Sequence, residues 1–250
     1  MIYGPASMIR TLASVLFLCF SIGLANGQTS REIGLLDRAL DEMRRGDWRN
    51  ALVLGESAGP VARDIVEWHR LRAGQGDFDA VLGFLDRRAD WPGLQLLRRE
   101  SEEAVPVAAR PEEVLAFFAG EPPQTGAGEV ALIEAYRALG RTSDAEAEAV
   151  RAWLTQIMSA ADEAAIFARY AEALAPHHET RLDMLVWRNA RLASERMYHR
   201  VGTGYRALAR ARLALRANAD GVDALIDAVP PALANDPGLA FERMQWRARK

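Results

Sequence analysis

The segment GDWRNAL, residues 46–52, recurs as GDFDAVL at residues 76–82, thirty positions further along the chain. In each copy we expect the glycine to end one helix, the aspartate to cap the next, and the aromatic residue to pack between the two helices. A looser third copy, LGRTSDA, occupies residues 139–145. Such a repeat is typical of helix-turn-helix arrays like the tetratricopeptide repeat, whose unit has about 34 residues. The echo predicts an all-α protein, an α-solenoid or superhelix of antiparallel helix hairpins.

Helical spacing of apolar residues extends along most of the chain, and no alternating strand pattern interrupts it. In residues 61–70 and 181–193, the apolar positions are expected to form buried faces. The charged positions of the same two segments are expected to face away from the core: Arg63, Asp64, Glu67, Arg70, Arg181, Asp183 and Arg188.

Residues 1–27 have the pattern of a secretory signal peptide, with Arg10 before an apolar run and small residues at Ala25 and Gly27. Cleavage after Gly27 would leave residues 28–250 as one exported α-helical domain. The alternative is a membrane anchor, but the apolar run is shorter than the roughly 20 residues that cross a bilayer. The one cysteine of the chain, Cys19, lies within this segment, so the expected mature chain has neither disulfide nor thiolate.

The charge of the chain is nearly balanced, with 31 basic and 34 acidic residues and a formal net charge of -3. A nucleic-acid-binding domain usually carries a basic excess, so nucleic acid is not an expected partner. Several basic residues stand close together, such as Arg87-Arg88 and Arg98-Arg99, but intervening acids dilute most of these groups. For the set Arg206, Arg210, Arg212 and Arg216, salt-bridge and snorkelling roles explain the positions better than a ligand-binding stripe does.

No catalytic, cofactor-binding or metal-binding residue is predicted from the sequence. The four histidines, His69, His177, His178 and His199, lack a metal-ligand spacing. His69 is expected to pack beside Trp68, and the adjacent pair to begin a helix after Pro176. The stretch Gly126-Ala127-Gly128 is interpreted as a linker. The acidic runs are interpreted as solvated helix faces, and none of their carboxyl groups is expected to have a pKa raised by burial. These runs are Glu100, Glu102 and Glu103, and Glu112 and Glu113.

A series of motifs covers most of residues 28–250: DIVEWHRLRAG (64–74), FL (84–85), DWPGLQLLRR (90–99), VLAFF (114–118), PPQTG (122–126), EAEAVRAW (146–153), His178, RLDMLVW (181–187) and ERM (195–197). In these motifs the chain resembles the helical N-terminal domain of soluble lytic murein transglycosylases. The Trp-Pro-Gly turn and the Arg-Leu-Asp-Met-Leu run are its most specific parts.

The resemblance implies a periplasmic superhelix that serves a separate C-terminal lysozyme-like domain. In that family the second domain cleaves the glycan strands of peptidoglycan, forms a 1,6-anhydromuramoyl end, and carries a catalytic glutamate in a Glu-Ser motif. Here Glu56-Ser57 and Glu100-Ser101 belong to the helical region, and no Gly-Leu-Met-Gln segment follows either pair. The expected function is therefore the scaffold of such an enzyme in cell-wall turnover, with the catalytic domain outside these 250 residues and no enzymatic residue within them.

The resemblance also implies peptidoglycan glycan strands as the partner, and it implies no cofactor and no metal. Periplasmic cell-wall proteins are further possible partners, and no membrane span is expected once the signal peptide is cleaved. The alternative is a stand-alone periplasmic helical-repeat adaptor that binds other proteins and acts without an attached enzyme.

Overall fold

The computed structural model describes residues 29–249, and all the regular elements in that range are helical. The all-α class predicted from the sequence is thus confirmed. The predicted signal peptide, residues 1–27, lies outside the described residues. Between residues 29 and 249, no helix is long and apolar enough to cross a membrane.

Within the described residues, the chain divides into two compact units, residues 29–70 and 71–249. The helices that begin in the first unit are α1 (Ser30–Arg44), α2 (Trp48–Ser57) and α3 (Pro60–Arg72), the last of which crosses the boundary. The second unit contains α4 (Phe78–Arg87), α5 (Leu94–Glu100), α6 (Pro111–Phe118), α7 (Gly126–Ala138), α8 (Thr142–Thr155), α9 (Ala160–Leu174), α10 (His178–Trp187), α11 (Arg191–Met197), α12 (Thr203–Arg216), α13 (Val222–Asp227) and α14 (Pro237–Ala248). Short 3-10 turns lie at Glu102–Ala104, Ala175–His177 and Pro231–Leu233.

In the first unit, α1 begins with a capping box. The Thr29 side chain accepts from the backbone N–H of Glu32 at 3.3 Å, and the Glu32 carboxylate accepts from the backbone N–H of Thr29 at 2.6 Å. Helices α1 and α2 pack together. Their contact buries the small residues Ala39 and Ala51 with Val66 of α3, and the partly buried side chains of Met43, Leu52 and Leu54 pack against them.

The caps predicted from the repeated segment are present in most respects. Asp47 and Asp77 each accept a hydrogen bond from the backbone three residues later, as helix N-caps do. Gly46 follows α1 in the left-handed conformation, with φ of +80°. The prediction that Gly76 ends a helix is wrong, because α3 ends at Arg72 and Gly74 takes the left-handed conformation after it, with φ of +68°. Gly76 is needed for space instead, since a Cβ atom there would overlap the Leu71 side chain.

The core of the second unit is centred on Trp153 of α8, which is fully buried. Helices α7 to α12 contribute to this core, with Ile166, Leu174, Leu185 and Met197 among its buried members. A second cluster, which includes Leu215 and Leu239, joins α12 to α13 and α14. The main helix contacts link each helix to its neighbour or next neighbour, as in α7 with α8, α8 with α10, and α12 with α14.

Two residues assigned to exposed faces are buried. Asp64 is 2% exposed and Arg181 is fully buried, whereas Val61, assigned to the core, is 50% exposed. Arg181 can be buried because its guanidinium donates to the backbone oxygens of Trp153 (2.6 Å) and Gln156 (3.2 Å) and to Glu163 (3.2 Å). A buried cation whose two terminal nitrogens both find acceptors avoids the large penalty of an unpaired charge.

Candidate functional site

An open groove of about 380 Å³ lies within the second unit, and seven of its nine lining residues are polar or charged. We call it the polar groove, and its lining consists of Gln95, Glu121, Pro122, Pro123, Gln124, Arg151, Thr155, Gln156 and Arg188. Three primary amides and two guanidinium groups thus face one depression. Amides both donate and accept hydrogen bonds, and guanidinium groups donate to carboxylates, so the lining suits a ligand rich in hydroxyl, amide and carboxylate groups.

One wall of the polar groove, residues 122–125, is held by the buried carboxylate of Glu102. The carboxylate accepts hydrogen bonds from the backbone N–H of Gln124 (2.8 Å), the backbone N–H of Thr125 (2.7 Å) and the Thr125 hydroxyl (2.6 Å). Burial raises the pKa of Glu102, and the hydrogen bonds oppose that effect. This contact also places an anion at the start of α7, where the helix dipole favours it.

The glutamines of the groove tie separate elements together. Gln124 donates from its side-chain amide to the backbone oxygen of Gln95 at 3.3 Å. Gln156, which follows α8, donates in the same way to the backbone oxygen of Pro123 at 3.1 Å. Each contact joins residues about thirty positions apart, so the walls are fixed before a ligand arrives, which lowers the entropy lost on binding.

Arg151, which lines the polar groove, forms ion pairs with two carboxylates. Its Nη2 atom lies 2.6 Å from both carboxylate oxygens of Glu129 and 2.7 Å from Glu148. Glu129 is fully buried, and burial together with the nearby charge of Glu148 outweighs the attraction of Arg151 and raises the pKa of Glu129 to about 8. One guanidinium cannot neutralise two anions, so Glu129 retains its proton at neutral pH.

Arg188 lies at the end of α10 and lines the groove with an exposed side chain. Among the described residues it has no carboxylate partner, which leaves its guanidinium available to a ligand. The preceding residue, Trp187, lies 5.6 Å from Phe241 between ring centroids, and the two side chains are 42% and 40% exposed. One member of this exposed aromatic pair, Trp187, is therefore next to the arginine in sequence.

Comparison with known proteins identifies no relative. No family model, curated protein or solved structure matches this chain. The lytic transglycosylase resemblance therefore stays a prediction, and the site must be judged on its geometry.

The histidines are placed largely as expected. His178 begins α10 and His177 lies in the preceding 3-10 turn. His69 contacts Trp68 edge to face, with ring centroids 4.7 Å apart. Between residues 29 and 249, no group of three His, Cys, Asp or Glu residues is placed to hold a metal ion.

The arginines singled out in the sequence are mostly held by partners within the second unit. Arg98 donates to the backbone oxygen of Phe117 at 2.9 Å. Arg212 pairs with Asp183, and Arg216 pairs with Glu242. The salt-bridge interpretation is thus confirmed for these two residues of the α12 set.

The sequence interpretation did not identify two buried glutamates. Glu102, assigned to a solvated face, is 2% exposed, and Glu129, which was not singled out, is fully buried with a raised pKa. Glu129 stands in the run Gly126–Ala138 between apolar residues, a signal that could have been used. Nothing in the local sequence distinguishes Glu102 from Glu103, because the acceptor role of Glu102 depends on residues 124 and 125.

The supposed linker Gly126-Ala127-Gly128 is instead the first turn of α7, capped by the Thr125 hydroxyl. A Cβ atom at Gly128 would overlap the carboxylate of Glu102. Glycine is required here by the close approach of that buried side chain to the helix.

We expect Gly128→Ala to lower the free energy of unfolding by about 1–3 kcal/mol, because the new methyl group displaces the Glu102 carboxylate. Gly83→Ala is a matched control, since Gly83 lies within α4 with no atom within 4 Å of an added Cβ. It should raise stability by about 0.5–1 kcal/mol through helix propensity. Urea denaturation would measure both, and equal effects of the two substitutions would contradict the packing argument.

Proposed function

We propose that this chain is the non-catalytic helical scaffold of a periplasmic lytic murein transglycosylase, and that the polar groove holds peptidoglycan glycan strands. In this proposal, the helices form a tetratricopeptide-like superhelix, and an attached domain outside the chain cleaves the glycan. The proposal is supported by the resemblance in the sequence and by helix contacts that link neighbours along the chain.

The observation that carries the proposal is the combination of three amides and the guanidinium of Arg188, which has no carboxylate partner among the described residues, in one groove. Peptidoglycan offers hydroxyl and acetamido groups, which match Gln95, Gln124 and Gln156. Its peptide and lactyl carboxylates match Arg188. The apolar faces of its sugar rings match the exposed Trp187 and Phe241 rings, since aromatic side chains bury much apolar area. A bound strand would be oriented for the attached active site.

The test is co-sedimentation of the purified chain with murein sacculi at low salt. We expect the wild-type chain to co-sediment, and the double variant Arg188→Ala with Phe241→Ala to bind at least about tenfold more weakly, which corresponds to about 1.4 kcal/mol. The matched control is Arg191→Ala with Leu192→Ala, an exposed arginine and an exposed apolar residue on α11 outside the polar groove. Wild-type chain that stays in the supernatant would overturn the proposal.

A second candidate function, a protein-binding adaptor, is favoured by an apolar groove of about 450 Å³ in the same unit. Its apolar lining residues are Val107, Ala108, Val130, Ile133, Ala165, Ile166 and Ala168. Val107 is 55% exposed, and Ala108 has a φ of 60°, which is uncommon for a residue other than glycine. Failure of the chain to bind sacculi, with the fold intact, would favour this function over glycan binding.

A further inference from the structure

A cluster of aromatic and cationic side chains lies where α8, α9 and α10 meet, and we call it the Trp153 cluster. Its rings are Trp153, Phe167 and His178, whose centroids lie 5.7–5.9 Å from one another. The guanidinium carbon of Arg181 lies 4.2 Å from the Trp153 ring, and that of Arg200 lies 3.5 Å from the Phe167 ring. The three rings are thus flanked by two arginines, which fixes the guanidinium groups in place.

Several nitrogen atoms of this cluster are buried without any hydrogen-bond partner. They are Nε1 of Trp153, Nδ1 of His178, Nε of Arg181 and Nε of Arg200. Buried polar atoms almost always have a partner, and an unsatisfied group costs about 1–3 kcal/mol. Three of these atoms are obligate donors, and the fourth becomes a donor when the imidazole is protonated. The cluster therefore lacks acceptors rather than donors.

The charged side chains around the cluster include more arginines than carboxylates. Glu163 is shared between Arg181 (3.2 Å) and Arg196 (3.0 Å). Arg200 has no carboxylate partner among the described residues. Four titratable or charged groups act on the imidazole of His178. His177 lies in the turn before α10, Arg181 lies in α10, and His199 and Arg200 lie in the segment after α11. The guanidinium of Arg200 thus has no carboxylate partner among the described residues, and the nearby carboxylate of Glu163 already serves two other arginines.

We propose that the Trp153 cluster binds a small oxyanion, a phosphate or carboxylate group, between the half-buried side chains of Arg200 and His178. An oxyanion supplies the acceptors and the negative charge that the cluster lacks, and the planar guanidinium suits two-point binding of either group. Trp153 and Arg181 are fully buried and support the site from within. The inference does not rest on the proposed glycan scaffold, because no residue of the Trp153 cluster lines the polar groove.

Anion binding at this site is coupled to protonation of His178. Burial, followed by the charges of Arg200, Arg181, His177 and His199, lowers the pKa of the free imidazole. A bound anion opposes those charges and stabilises the imidazolium, so its binding raises the pKa of His178. By reciprocity, protonation must tighten anion binding by the same factor, and affinity rises as the pH falls.

The test is a titration of the whole chain with sodium phosphate, followed by NMR of the histidine side chains, at constant ionic strength set with sodium chloride. We expect a saturable shift of the His178 resonance, assigned with His178→Gln, and binding about five- to tenfold tighter near pH 6 than near pH 8. Sodium acetate in place of phosphate distinguishes the source of the anion. Saturable binding of acetate as well indicates a carboxylate site, and a response to phosphate alone indicates a phosphoryl site.

Two variants keep this test decisive. Arg200→Gln should abolish the phosphate response while retaining the far-UV circular dichroism and the resonances of the other histidines. Arg191→Gln removes an exposed arginine of α11, paired with Glu195 at 3.0 Å, and should bind phosphate as the wild type does. The proposal is overturned if the wild-type His178 resonance does not move, if chloride alone moves it equally, or if folded Arg200→Gln still responds.

Discussion

Replacement of Arg181 by alanine is expected to lower the free energy of unfolding by about 3–5 kcal/mol, because it removes one partner of a buried ionic network. The guanidinium donates to two backbone oxygens at the end of α8 and to Glu163, and it stacks on Trp153. Without it, those oxygens lose their donor in the interior, Glu163 keeps only Arg196, and a cavity remains beside the largest buried ring.

Chemical denaturation of the folded chain measures this effect. Arg191→Ala is the matched control, since that arginine is 71% exposed and its ion pair with Glu195 is worth at most about 1 kcal/mol. If Arg181→Ala lowered stability no more than Arg191→Ala, the network would not hold α8, α9 and α10 together. The expected loss of stability is also why Arg200, rather than Arg181, is the residue to change when anion binding is tested.

The second large effect is a pH dependence that originates at Glu129. The pKa of its carboxyl is about 8 in the folded chain, against an ordinary value of 4.5. The folded state therefore keeps a proton that the unfolded chain releases between these two values. Because the folded pKa is raised, the stabilisation is fully present below about pH 4.5 and is lost as the pH rises through about 8. The loss is on the order of 4 kcal/mol.

Glu129→Gln should flatten this dependence, because the amide copies the neutral carboxyl and does not titrate. The free energy of unfolding is best compared between about pH 7 and pH 9, since the lowered pKa of His178 gives the opposite trend at lower pH. Glu134→Gln is the control, as Glu134 also lies on α7 and pairs with an arginine, Arg137, at 2.6 Å. An unchanged slope in Glu129→Gln would contradict the assignment to Glu129.

This proton also bears on the polar groove. Arg151 lines the groove and divides its hydrogen bonds between Glu129 and Glu148. While Glu129 holds its proton, Arg151 faces one carboxylate anion rather than two, and it can attract a ligand carboxylate. If the groove holds glycan strands as proposed, their binding should therefore weaken above about pH 8, where Glu129 ionises.

Local signals in the sequence determined the helices and many of their ends. Periodic apolar residues predicted the all-α class, and Asp47 and Asp77 predicted two N-caps, because a cap contacts a backbone group only three residues away. The superhelical arrangement, the lytic transglycosylase family and the periplasmic location remain predictions. The helix start at Gly126 was missed because two glycines of low helix propensity stand in its first turn.

Only the tertiary structure decided which charged residues lie inside. The partners of Glu102, Glu129 and Arg181 stand 22 to 28 positions away in the chain, at Gln124, Arg151 and Trp153. Helical periodicity assigns a charged residue to the surface because an unpaired charge is expensive to bury. Folding overturned that assignment wherever a distant backbone oxygen, amide or opposite charge became available, and these same residues shape the polar groove and the Trp153 cluster.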